Sequence, residues 1–278
     1  MKTSLRLFAA ASAAALFIAV AGCGGSDSAS SPDAAAETTA SASGAEGNLA
    51  AFMRDIGTEL NAFWADNWGE GWSAATVKVP ADVAETACGA IDAAETGPAY
   101  CDADKTMVLP VAFFRDKIIN ADDSGRNDAA VAAVVGHEFG HHLQNIGGLG
   151  EAVSEAQAEV PDAANLLSVA NELHADCLMG IWMSSVDDEK RLEPGDLDEV
   201  LVALEKIGDD RLSADAGVVA DASEFDHGTS EQRQVWFGVG FETQDADKCA
   251  IVFDDLEDGT LEKELKAGAD AANASTTG

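Results

Sequence analysis

Basic residues are scarce in this chain. Its 278 residues carry 16 Lys plus Arg against 50 Asp plus Glu, a formal net charge of −34. A field of that sign repels nucleic-acid phosphates and anionic lipid headgroups, so nucleic-acid binding is set aside. The bland account of such acidity is solubility, in a medium salty enough to screen the self-repulsion. Tyrosine occurs once, as Tyr100. No G-x-S-x-G turn is present, which leaves Ser-His-Asp chemistry without its usual nucleophile elbow. No close cysteine pair has metal-ligand spacing, which argues against a thiolate zinc site. The apolar stretch Leu7 to Ala21 is too short and too rich in alanine for a permanent membrane span.

That stretch has another use. Lys2 and Arg6 precede it, and it ends in Val20-Ala21-Gly22-Cys23, which resembles a bacterial lipobox. Residues 1–22 therefore read as a lipoprotein signal peptide, with Cys23 as the lipidated residue. Acyl chains on that thiol anchor a protein without a transmembrane helix. The expected location is the bacterial cell envelope, with the domain on the extracytoplasmic side and the lipid as its only membrane contact. Residues 23–47 follow on from Cys23 as a stretch dominated by Gly, Ser, Ala, Asp and Thr, without apolar period, and read as a flexible tether.

Four cysteines remain, an even number in an oxidising location. They allow three pairings. Cys88–Cys101 is the natural short loop, and Cys177–Cys249 follows by default.

Residues 48–258 read as one domain, mainly α with a small β-sheet. Leu49, Phe52, Met53, Ile56, Leu60, Phe63 and Trp64 recur at helical spacing. Thr76 to Val79 and Thr106 to Leu109 read as short strands, and residues 81–104 as a punctuated loop. Three apolar-periodic helices follow, the first starting within Gly125-Arg126-Asn127-Asp128 and running to Ile146, the others over about 161–183 and 197–207. A fourth starts at Thr229, where Gln232 three residues on makes a capping-box pattern. Residues 259–278 read as a disordered tail.

The central helix carries His137-Glu138-Phe139-Gly140-His141, an H-E-x-x-H sequence. Residues i and i+4 lie about one turn apart on one face, so two imidazoles converge on one ion. Zn²⁺ is the ion this donor pattern suits. Glu138 stands about 100° round the helix, close enough to reach a water on the metal without ligating it. Gly136 and Gly140 weaken a helix, which suggests that something packs close there.

A catalytic zinc needs a third protein ligand and an open position. A histidine six residues past His141 would serve, but that position is Gly147. The segment Asn171-Glu172-Leu173-His174-Ala175-Asp176 offers Glu172, His174 and Asp176. Glu172 is favoured as the ligand. Asp176, four residues on and on the same face, then orients a ligand histidine through its outer N–H. His174 faces about 200° away. His142 points off the ligand face and reads as a packing histidine. His227, just before the helix from Thr229, is a candidate donor to a developing oxyanion.

The chain resembles the bacterial neutral zinc metallopeptidases. The resemblance rests on Ala87-Cys88-Gly89, Gly97-Pro98-Ala99-Tyr100-Cys101, the zinc motif with His142-Leu143-Gln144, Glu172 to Cys177, and His227 to Arg233. These stretches span roughly residues 70–250. The Glu172 and Asp176 pair is also similar to that of thermolysin-type peptidases. That resemblance implies a zincin-like fold with the motif on a central helix. It implies Glu172 as ligand, Asp176 behind a motif histidine, His227 at the oxyanion, and Glu138 as general base for hydrolysis of a peptide or protein. The strand at 106–109 is expected to line the cleft and pair with substrate. The rival readings are an inactive zinc-binding envelope lipoprotein, an amidase of cell-wall crosslinks, and a metal-free binding module.

Overall fold

A computed structural model describes residues 42–92, 96–119 and 127–276. The expected signal peptide, Cys23 and the expected tether up to residue 41 lie outside them. Helix α1, Ala42–Trp68, begins inside the expected tether. It buries Met53, Ile56, Leu60 and Trp64, a stripe repeating every three to four residues.

Five short strands follow: β1 Thr76–Lys78, β2 Val83–Thr86, β3 Gly89–Asp92, β4 Ala99–Cys101 and β5 Thr106–Val108. β2 and β3 form a hairpin apart from the other three. In the main sheet β5 is central, parallel to β1 and antiparallel to β4. The strand expected to receive substrate is therefore already paired on both sides. The edge next to the cleft belongs to β4. Cys88 and Cys101 form a disulfide that ties the hairpin turn to β4.

Helix α2, Val111–Phe113, runs into a π-helical stretch, Phe114–Ile119. The remaining helices are α3 Asp128–Ile146, α4 Leu149–Glu159, α5 Ala164–Asp188, α6 Asp196–Lys206, α7 Asp209–Ala216, α8 Ser230–Thr243, α9 Ala246–Cys249, α10 Ile251–Asp258 and α11 Thr260–Thr276. The result is a mainly helical α+β fold of zincin-like layout, and no described helix is long and apolar enough to cross a membrane.

α3 and α5 make the frame of the site. They run antiparallel, with His137 beside Asp176 and Gln144 beside Asn171. Gly140 explains how they come so close: a Cβ there would stand 2.9 Å from the Ala175 backbone. α5 in turn packs on α8, and Cys177–Cys249 links α5 to α9.

The tail needs correcting. Residues 260–276 are helical, and Leu261, Leu265 and Ala269 are buried. Their four-residue spacing draws a narrow apolar stripe through a polar sequence, and α7 and α8 cover it.

Candidate metal centre

His137 and His141 leave α3 on one face and meet Glu172 from α5. His137 Nε2 stands 3.0 Å from Glu172 Oε2, and His141 Nε2 stands 3.3 Å from Glu172 Oε1. Two ligand atoms about 2.0–2.1 Å from a tetrahedral ion lie about 3.3 Å from each other. The three side chains thus already have the spacing of a set that can hold a metal.

The outer ring nitrogens agree. His137 Nδ1–H donates to Asp176 Oδ1 at 2.7 Å, and His141 Nδ1–H donates to Gln144 Oε1 at 2.8 Å. Both Nε2 atoms are thereby turned toward Glu172. Once their Nε2 protons are displaced, the two imidazoles and the carboxylate are a donor set that suits zinc with one position left open.

Asp176 is itself held. Arg233 donates from Nε to Oδ2 at 2.9 Å and from Nη2 to Oδ1 at 3.0 Å. Both side chains are buried, Asp176 fully and Arg233 to 2% exposure. Arg233 Nη2 also lies 3.3 Å from His137 Nδ1. Those are two donors, so the approach follows from both leaning on one carboxylate.

The same groups also attract one another as charges. Burial works against ionisation of Asp176, but Arg233 and His137 outweigh it and hold its pKa low. Burial would push the His137 ring down, yet Asp176 and Glu172 raise it to about 9. Glu172 is held well below the usual carboxylate range by the two imidazoles, against its own burial. Glu138 goes the other way: burial raises it, although both imidazoles pull down. A carboxylate tuned upward is suited to accept a proton.

The centre opens on a cleft of about 690 Å³. Glu138, Arg233 and His227 share its lining with the three metal-type side chains. Residues of β4 and its approach, Pro98, Ala99 and Tyr100, border it. His227 is positioned from below its own loop. Asp209 Oδ2 accepts the backbone N–H groups of Asp226, His227 and Gly228 at 3.0, 2.7 and 3.0 Å. Its Oδ1 lies 3.2 Å from His227 Nδ1, and Asp226 Oδ1 lies 2.6 Å from the same nitrogen. The hydrogen bond to Asp209 and the nearby carboxylates raise the ring to about 9 although burial opposes it.

The other histidines are occupied elsewhere. His142 donates from Nε2 to the Ser73 carbonyl at 2.6 Å and accepts at Nδ1 from Tyr100 Oη at 3.0 Å. Burial drives its pKa down to about 4. His174 is buried against Phe253, and its Nδ1 lies 3.2 Å from Gln144 Nε2. The sequence reading missed Gln144, Arg233 and Asp209. Gln144 had a visible signal, since it follows His141 by one helical turn. Arg233 had a weaker one, as a rare cation at helical distance from the His227 segment.

Fold and site together define a helical α+β protein of the zincin-like class with a His-His-Glu group that could hold a metal. The family model described as "Putative neutral zinc metallopeptidase" matches residues 6–252, and the chain belongs to that family. It is 41% identical over 167 residues to the Uncharacterized protein YpfJ of Escherichia coli strain K12, covering 59% of this chain and 56% of that protein. It is 37% identical over 175 residues to the Uncharacterized protein Rv2575 of Mycobacterium tuberculosis, covering 59% of this chain and 57% of that protein. The matched region thus spans a little over half the length of these relatives. No solved structure matches.

Proposed function

We propose that this chain is a zinc-dependent peptidase with Glu138 as general base. The observation that carries the reading is the convergence of His137, His141 and Glu172 with both outer imidazole nitrogens already held. Zinc, when bound there, supplies Lewis-acid activation of a water and of the scissile carbonyl. His137, His141 and Glu172 hold it, and Asp176 and Gln144 fix the two tautomers. Glu138 takes a proton from the attacking water and returns it to the departing amine. His227 donates a hydrogen bond to the oxyanion. An extended substrate backbone pairs with the open edge of β4.

The domain works at the bacterial envelope, tethered by lipid on Cys23, and acts on a peptide or protein. Two disulfides in the described residues support an oxidising location. Mass spectrometry of the mature N-terminus tests the anchor: an unmodified Cys23 in the membrane fraction refutes it.

The test of mechanism compares the protein with Glu138→Gln. Bound zinc is expected to be equal, and peptide cleavage to fall about 10²-fold or more, the scale of a lost general base. Equal rates reject the mechanism.

A further inference from the structure

Helix α11 lies beyond residue 252, where the family match ends. It nevertheless touches the part of the fold that carries His227. The segment from Ala220 to Thr229 connects α7 to α8, and α11 grips both of its ends. At one end Asn273 makes a two-way amide pair with Ala220: Ala220 N–H donates to Asn273 Oδ1 at 2.8 Å, and Asn273 Nδ2 donates to the Ala220 carbonyl at 2.9 Å. At the other end Gly268 lies against Thr229, so close that a Cβ would collide with the Thr229 side chain. Thr229 is the N-cap of α8 and is 2% exposed. The two grips are five residues apart on α11, about 7.5 Å along its axis.

Between them the segment is clamped from its other sides. Gly228 has a φ of +94° and sits with Leu173 and Val169 of α5 3.2 and 3.3 Å from where its Cβ would be. Asp209 accepts its N–H, and the Asp209 N–H donates to the Gly228 carbonyl at 2.9 Å.

We infer that α11 is a positioning element for the active cleft, with Asn273 and Gly268 as the residues through which it fixes His227. This rests on the proposed peptidase reading. Neither residue contacts the metal-type side chains through any hydrogen bond among the described residues, and both reach the cleft through the 220–229 segment. A chain that lost α11 would keep its zinc and lose the aim of His227.

The test uses the full chain with Asn273→Ala, with Gly268→Ala as the second variant. Bound zinc is expected to equal wild type. Amide hydrogen exchange is expected to speed up in 218–229, while 164–188 stays protected. The kcat for peptide cleavage is expected to fall about tenfold with KM within about twofold, within the range that ångström-scale misplacement produces. In a His227→Gln background, Asn273→Ala is expected to cost nothing further, because the two changes act on one group. Full additivity, or exchange in 218–229 unchanged in both variants, overturns the inference. Should wild type cleave no peptide, the peptidase reading fails by itself. Exchange then decides: faster 218–229 with zinc retained upholds the brace, and unchanged exchange removes it.

Discussion

Asp176→Ala strikes the metal centre and the core at once. The change leaves Arg233 buried at 2% exposure with its bidentate partner gone. Breaking a buried ion pair from one side costs about 3–5 kcal/mol, because the remaining charge stays desolvated. Against a total of roughly 5–15 kcal/mol for an ordinary domain, that is a large fraction. Zinc binding suffers separately. His137 Nδ1 loses the acceptor that holds its tautomer, and loss of such a partner typically weakens metal affinity about 10- to 100-fold. Urea unfolding of the metal-free protein reads the first effect, and competition with a chromophoric chelator reads the second. Adding Arg233→Met to Asp176→Ala should recover part of the stability but none of the affinity, since only the stranded cation is removed. An unfolding midpoint and a zinc affinity both equal to wild type would refute the account. Acid should act on the same pair. Asp176 has its pKa lowered on folding, so its contribution is complete above the unfolded value near 4 and disappears as pH falls through the folded one.

Three further outcomes are expected. If His227 donates to the oxyanion, kcat should decline as pH rises through about 9, where its ring loses the proton, and His227→Gln should lack that alkaline limb; an unchanged profile counts against the role. Gly140→Ala forces a methyl toward the Ala175 backbone and should cost about 1–3 kcal/mol in thermal unfolding while loosening zinc. Replacing Cys177 and Cys249 together by alanine opens a link across 72 residues and should cost roughly 4 kcal/mol by loop entropy, read as a lower urea midpoint.

The convergence of His137, His141 and Glu172 was legible in the sequence because it obeys helical periodicity. His137 with His141 and Glu172 with Asp176 each repeat at four residues, and that spacing fixes a shared face whatever the tertiary structure. His227 was legible as a residue but not as a position, since the distance between a loop and α3 has no local signal. Arg233 had no role of its own in the sequence, only a place at the end of the stretch from His227. Its burial depends on Asp176, 57 residues away in the chain. The substrate strand was misplaced because local sequence shows that residues 106–109 extend, not which neighbours pair with them. The tail was misread for a different reason. Its composition is that of a solvated segment, and only the quiet recurrence of Leu261, Leu265 and Ala269 marks a buried face.

Tyr100 is the sole phenol in 278 residues, and it borders the cleft. Its oxygen receives Asn145 Nδ2 at 2.8 Å and gives its proton to His142. Burial, helped by Asp102 and Asp104, makes that proton hard to remove. The protein therefore carries its own optical label. Phenolate absorbance in alkaline titration comes from one known atom beside β4, and any occupant that seats against that strand should register as a shift in a single, unambiguous band.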